Sequence, residues 1–115
     1  MESTELIKYL FPAEITQHFN IVRVREDKED LIIELEEKNE LPPGLNPTGY
    51  ESKGFSPAVK IQDYPLRDRA VFLMVKRRKW LEKSTGKIIQ RKWDLTVEGT
   101  KYTKDFGVFL KGLLR

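Results

Sequence analysis

The first stretch of the chain places apolar residues at the 3.6-residue spacing of a helix, after a Ser-Thr pair that can cap it. The residues with this spacing are Leu6, Ile7, Leu10 and Phe11. Pro12 interrupts the pattern, and proline suits the first position of a helix, so residues 12–19 are predicted to form a second short helix. The pattern therefore predicts two short N-terminal helices with different axes.

After residue 20, the spacing of the apolar residues changes from the 3.6-residue period of a helix to the two-residue period of a β-strand. Residues 21–25 and 31–35 are rich in β-branched and aliphatic side chains, and the charged residues 26–30 separate them, which is typical of a β-hairpin. On the second strand, Leu31, Ile33 and Leu35 share one face, and Ile32, Glu34 and Glu36 share the other. We expect a sheet that is buried on one side.

Residues 41–57 contain many helix and strand breakers. The prolines and glycines in the body of this segment are Pro42, Pro43, Gly44, Pro47, Gly49 and Gly54. Because proline removes a ladder donor and glycine weakens a strand, this segment is predicted to be an irregular loop.

A second β unit follows the loop. Residues 59–61 form a short predicted strand, residues 64–69 a turn, and residues 70–75 a strand that is apolar on both faces and therefore central in its sheet. The charged continuation, residues 76–80, is predicted to project from the core as a two-stranded ribbon with residues 88–95. The Ser84–Gly86 turn closes this ribbon.

The last segment resumes the helical period. Thr103 can cap a helix whose apolar stripe comprises Phe106, Phe109, Leu110, Leu113 and Leu114. The predicted fold is a single α+β domain over residues 1–115. It has four to five mainly antiparallel strands and a protruding basic β-hairpin, between N-terminal short helices and a C-terminal amphipathic helix.

Composition narrows the function classes. The chain has no cysteine and only one histidine, His18, so a thiolate site is excluded and no metal or other cofactor is expected. The N-terminus lacks the pattern of a signal peptide, and no apolar run reaches the roughly 20 residues that span a bilayer. We expect a cytoplasmic protein without membrane contact.

Charge is divided unevenly along the chain. Residues 1–45 carry eleven acidic and five basic residues, whereas residues 46–115 carry seven acidic and sixteen basic residues. Such a division favours an anionic partner for the basic half.

The basic residues are densest over residues 76–92. The segment holds eight basic side chains and a single acid, Glu82, and the basic residues are Lys76, Arg77, Arg78, Lys79, Lys83, Lys87, Arg91 and Lys92. On paired strands these cations repel one another unless an anion joins them, so we predict that they bind double-stranded DNA through its phosphates. The alternative is an ordinary solvated surface, since lysine also protects strand edges from aggregation.

Trp80 lies within this segment, and Trp93 follows it directly. They offer stacking surfaces for bases, but packing across the strands near a hairpin is the favoured interpretation. Asp63, Asp68 and the other aspartates are scattered and suggest no catalytic pair, so neither an enzyme nor a small-molecule substrate is expected.

Several short motifs resemble small proteins encoded upstream of bacterial insertion-sequence transposases, and the N-terminal region of those transposases. The motifs are Leu10-Phe-Pro-Ala-Glu14, Glu51-Ser-Lys-Gly-Phe55, Asp63-Tyr-Pro-Leu66, Arg77-Arg-Lys-Trp80, Thr85-Gly-Lys87, Trp93-Asp-Leu95 and Gly99-Thr-Lys-Tyr-Thr103. The resemblance extends over nearly the whole chain. The zinc-knuckle cysteines of the broader branch are absent, and residues 81–87 stand in their place.

The resemblance implies a non-catalytic module that recognises the terminal repeats of the element, with residues 76–92 as the DNA contact. It also implies the catalytic transposase subunit as a possible partner. The alternative is an interaction adaptor, which docks that subunit or a second copy through the acidic residues 26–30, residues 41–57 or the C-terminal stripe.

Overall fold

The computed structural model of the protein describes residues 11, 13–93 and 103–104. Within these residues the chain is mainly β, with one short α-helix and seven strands in two sheets. The elements are α1 (Ala13–His18), β1 (Phe19–Asp27), β2 (Asp30–Glu37), β3 (Tyr50–Phe55), β4 (Val59–Leu66), β5 (Arg69–Lys76), β6 (Arg78–Glu82) and β7 (Ile88–Ile89). A single 3-10 turn, Pro47–Gly49, precedes β3.

Sheet A has the strand order β1-β2-β5-β4. β1 pairs with β2 and β4 pairs with β5 in antiparallel fashion, whereas β2 and β5 run parallel from Leu31 opposite Val71 to Glu36 opposite Lys76. The position of β5 between two partners confirms the prediction that residues 70–75 form a central strand.

The core lies on one face of sheet A. Its buried residues are Ile15, Phe19, Ile33, Leu35, Ile61, Val71, Leu73 and Val75. The alternation of Ile33 and Leu35 on β2 follows from the period of two in the sequence. Ile15 joins them because the end of α1 continues directly into β1, where Phe19 is buried.

Sheet B has the order β3-β6-β7, with antiparallel pairing throughout. The chain passes from β5 of sheet A to β6 of sheet B across one residue, Arg77. Two predictions are wrong here. Residues 41–57 are not all irregular, because residues 50–55 form β3. The basic hairpin is also not a free two-stranded ribbon, because β3 pairs along the other edge of β6.

The remaining elements follow the sequence more closely. The β1–β2 hairpin is confirmed, with Lys28 at a φ of 59° in its two-residue turn. The second helix is confirmed over Ala13–His18, and β4 extends to Leu66, beyond the predicted residue 61. The predicted helix before Pro12 and the predicted C-terminal helix lie outside the described residues, except for Phe11, Thr103 and Lys104.

Candidate nucleic-acid interface

The eight basic residues of the 76–92 segment are distributed over the end of sheet A and the three-stranded sheet B. Lys76 ends β5, Arg77 links the sheets, and Arg78 and Lys79 lie on β6. The remaining four, Lys83, Lys87, Arg91 and Lys92, lie in the β6–β7 connection or after β7. The eight residues are therefore divided between the two sheets and do not all lie on the two-stranded ribbon that the sequence predicted.

Arg78 is bound inside the protein. Its Nη1 donates to Ser52 Oγ at 2.9 Å and its Nε donates to the backbone oxygen of Glu37 at 3.2 Å. Its guanidinium also lies 4.5 Å from the centre of the Phe55 ring. The backbone N–H of Arg78 donates to Glu37 Oε1 at 2.9 Å. Arg78 thus joins the end of β2 in sheet A to β3 in sheet B, and its side chain is occupied by these contacts.

Two other members of the segment have intramolecular contacts. Lys76 Nζ lies 3.9 Å from Glu36 Oε2, on the neighbouring strand β2. The Arg91 guanidinium lies 4.5 Å from the centre of the Trp93 ring, which leaves its N–H donors available while its plane is covered.

The other cations have no ion pair within the part of the chain that the structure describes. They are Arg77, Lys79, Lys83, Lys87 and Lys92, of which Lys83, Lys87 and Lys92 are exposed. Arg23, Arg25 and Arg69 of sheet A are each paired with a glutamate, whereas Lys28, Lys60 and Arg67 of that sheet and its turns form no ion pair with any described residue. Within the described residues, the densest group of cations without an ion pair lies in and around the β6–β7 hairpin, where Lys87 also interacts electrostatically with Glu82.

The register of sheet B assigns these residues to faces. Ser52 lies opposite Trp80 and Ile89 lies opposite Trp80 on the other side, so all three share the inner face. Lys79 and Leu81 alternate with Trp80 and point to the outer face, where Leu81 lies opposite Ile88. Ile88 is 51% exposed, so the outer face is open to solvent.

The tight β6–β7 turn brings Lys83 and Lys87 to the same end of the sheet. The N–H of Gly86 donates to the oxygen of Glu82 at 2.8 Å, and the N–H of Glu82 donates to the oxygen of Lys87 at 2.8 Å. The N–H of Lys83 donates to the oxygen of Gly49 at 3.0 Å, which fixes the turn against the start of β3. Lys83 and Lys87 are thus held on a well-defined turn.

Both tryptophans pack within the protein, as the favoured interpretation predicted. Trp80 is 1% exposed, and its Nε1 donates to Asn39 Oδ1 at 2.9 Å. Trp93 packs against the core, with its ring centre 5.1 Å from that of Phe19 and 4.9 Å from that of His18. Neither indole is therefore an open stacking platform.

A cavity of about 460 Å³ lies between the inner face of sheet B and the proline-rich connection after β2. Pro42, Leu45 and Tyr50 contribute apolar surface to it, and Trp80 lies at its base. Its polar lining includes Asn39, Glu40 and Ser52.

One side of the cavity continues into a hydrogen-bonded group at the end of β6. The Tyr50 hydroxyl donates to Glu82 Oε2 at 3.0 Å, and the Thr85 hydroxyl donates to Glu82 Oε1. These two donors, Thr85 first, lower the pKa of the Glu82 carboxyl below its usual range. The same contact with Glu82 raises the pKa of Tyr50, because the phenol must stay protonated to donate.

The sequence interpretation named residues 41–57 as a possible docking surface for a protein, but it did not single out Asn39, Tyr50 or Ser52. The prolines and glycines of residues 41–57 suggested a loop, although uncharged and charged side chains alternate along Tyr50-Glu-Ser-Lys. That alternation, together with the large aromatic ring at its start, is the signal that identifies β3.

Comparison of the chain with protein-family models, with curated proteins and with solved structures returned no match. Among the described residues, no group of three or more acidic, histidine or cysteine side chains is arranged to hold a metal ion. No helix in the described part of the chain has the length and apolar character needed to cross a membrane.

Proposed function

We propose that the protein is a non-catalytic module that binds double-stranded DNA through the β6–β7 hairpin. The observation that carries the proposal is the close grouping, in and around this hairpin, of lysines that form no ion pair within the described part of the chain. The central contacts are Lys79, Lys83, Lys87 and Lys92, with Arg77 and Arg91 beside them. Arg78 and Lys76 are not part of the contact, since the protein itself engages them.

The physical basis is the release of counterions. A lysine that meets a phosphate displaces condensed cations from DNA, so affinity falls with salt by a slope of about 0.9 per phosphate contacted. Four lysine contacts give a slope of about −3.6 in a plot of log affinity against log salt concentration. A short sheet with an exposed turn suits contacts to the phosphate backbone, which position a protein without reading bases.

The resemblance to transposon-encoded proteins supports a finer proposal, that the DNA is the terminal repeat of an insertion sequence. Selection of bound fragments from sheared DNA that contains such elements tests it. We expect the recovered fragments to be enriched in the inverted ends of an element. Recovery in proportion to abundance would contradict recognition of the ends and leave backbone binding in place.

The DNA contact itself is tested by charge reversal. In the triple variant K79E/K83E/K87E the magnitude of the salt slope should fall by about 2.7, because three phosphate contacts are removed. The matched control K28E/K60E/R67E has the same net charge, and its substitutions lie on sheet A and its turns. Titration of a labelled duplex at several salt concentrations measures both variants. If the two triple variants weaken binding equally, general charge and not the hairpin governs it, and the proposal is wrong.

A second candidate function is an adaptor that docks a protein partner. Val59 and Leu66, at the two ends of edge strand β4, are 38% and 44% exposed, and exposed apolar residues on an edge strand suit a protein contact. Mass measurement with and without a catalytic transposase subunit distinguishes the two functions, because only the adaptor requires a complex in the absence of DNA.

A further inference from the structure

The cavity beneath sheet B has the size of a ligand site and a lining that mixes apolar and polar side chains. Its volume of about 460 Å³ falls in the range of about 300–1,000 Å³ that is common for small-ligand pockets. Polar and apolar atoms share its walls about equally, with Leu45 and Tyr50 among the apolar contributors and three polar side chains, Asn39, Glu40 and Ser52, in the lining. Such a combination holds a flat ring and orients it through a few hydrogen bonds.

The polar side chains have unused hydrogen-bonding capacity. Asn39 Oδ1 accepts from Trp80, which directs the other half of the amide, with its two N–H donors, away from that indole. Ser52 Oγ accepts from Arg78, so its own hydrogen can still be donated. Within the described part of the chain, neither of these donors has another partner.

Glu40 supplies the complementary acceptor. Its side chain is 50% exposed, so it stands at the opening of the cavity. One oxygen, Oε1, lies 3.4 Å from His18 Nδ1, and Oε2 has no partner among the described residues. The lining thus offers one carboxylate acceptor together with an amide donor and a hydroxyl donor.

This set matches the edge of one kind of nucleobase. Cytosine presents an exocyclic amine as donor and two acceptors, N3 and O2, whereas thymine presents a carbonyl where cytosine has the amine. A carboxylate accepts well from the cytosine N4 amine. We propose that the cavity binds an unpaired nucleobase that bears an exocyclic amine, with cytosine as the best match.

The position of the cavity relative to the hairpin explains how DNA would supply that base. Lys83 is bonded through its N–H to Gly49, next to Tyr50 in the cavity wall, so a phosphate-binding turn adjoins the cavity. A base inside a duplex is paired and stacked and cannot enter, so the base must come from an overhang, a flipped nucleotide or a free nucleotide. The inference rests on the proposed DNA-binding function if the base comes from an overhang or a flipped nucleotide, and it is independent of that function if the ligand is a free nucleotide.

The test compares blunt duplex with duplexes that carry a cytosine or a thymine overhang, and adds free dCMP as a competitor. We expect the cytosine overhang to raise affinity about tenfold over blunt duplex, as stacking and hydrogen bonding of one base do, and the thymine overhang to raise it less. L45W fills the cavity, so its affinity for the duplex with the cytosine overhang should fall to its affinity for the blunt duplex. V59W, which adds the same indole at the edge of sheet A, should not.

A second variant tests the inference independently, in case L45W does not fold. E40Q changes a half-exposed side chain and should fold normally. It should remove the preference for cytosine over thymine, because an amide can accept from the cytosine amine or donate to the thymine carbonyl, whereas a carboxylate only accepts. Equal binding of blunt and overhang duplexes by the parent protein would overturn the cavity inference and leave DNA binding intact. Binding of dCMP that L45W abolishes, without any DNA binding, would overturn the proposed function and keep the cavity assignment. Binding of neither would overturn both.

Discussion

Arg78 shows how one side chain in a basic run differs from its neighbours. Lys79 and Arg78 are adjacent, yet alternation along β6 sends Lys79 to the open face and Arg78 toward Ser52 and Phe55. A guanidinium is suited to the inner position because its five donors are held in one rigid plane, whereas the three donors of an ammonium rotate at the end of a flexible stem. The residue therefore contributes to the connection between the sheets and not to the DNA contact.

This assignment predicts a stability effect with no binding effect. R78K keeps the charge but loses the planar donor group, and we expect the free energy of unfolding to fall by about 2 kcal/mol, since hydrogen bonds of charged groups contribute about 1.5–3 kcal/mol. Urea denaturation measures this change, and titration with DNA should show the salt slope of the parent.

K79A is the matched control at the neighbouring position. It should leave stability within about 0.5 kcal/mol, as surface substitutions do, and reduce the salt slope by about 0.9. A reversed result, with R78K reducing the slope and K79A reducing stability, would show that the two side chains have been assigned to the wrong roles.

At the scale of elements, β3 contains a β-bulge near its C-terminal end. Ser52 lies opposite Trp80 and Phe55 lies opposite Arg78, so β3 advances by three residues where β6 advances by two. Gly54 takes up the extra residue with a φ of 79°, in the left-handed region. This bulge brings the Phe55 ring beneath the Arg78 guanidinium.

Gly54→Ala is therefore expected to lower the free energy of unfolding by about 1–2 kcal/mol, the cost of a Cβ in the left-handed region. The cost is one of conformation alone, because a Cβ at this position would meet no atom within 4 Å. Gly49 has equal space around it and no positive φ, so Gly49→Ala is the matched control. Thermal and urea denaturation of both variants measure the difference, and equal losses would contradict a role for the left-handed backbone.

The sequence predicts those elements whose pattern and pairing are local. The β1–β2 hairpin, the short helix before it and the central position of β5 all follow from period and from runs of apolar residues. β3 does not, because its pairing partner β6 lies about 30 residues away and its bulge interrupts the alternation. The same long-range pairing is why the candidate site was predicted only in part. The basic residues were found, but the face of each residue depends on the register of β6, and the cavity depends on β3.

At the scale of the molecule, stability should be uneven between the two sheets. β5 is paired on both edges and contributes Val71, Leu73 and Val75 to the core, whereas β7 has only two residues. Native-state hydrogen exchange should therefore show the slowest amides in β5 and the fastest strand amides in β7. Peptides from edge strand β1 serve as an internal reference. Slower exchange in β7 than in β5 would contradict this ranking.

The parallel pairing of β2 with β5 has a consequence for any attempt to divide the protein. Parallel neighbours need a long crossover, and here that crossover contains β3, which belongs to the other sheet. The strands of sheet A occupy residues 19–37 and 59–76, and those of sheet B occupy residues 50–55 and 78–89. These ranges interleave, so any uninterrupted fragment long enough to hold one complete sheet also contains strands of the other. Truncation cannot isolate either sheet, and a gene fusion or deletion that breaks inside residues 50–76 interrupts both.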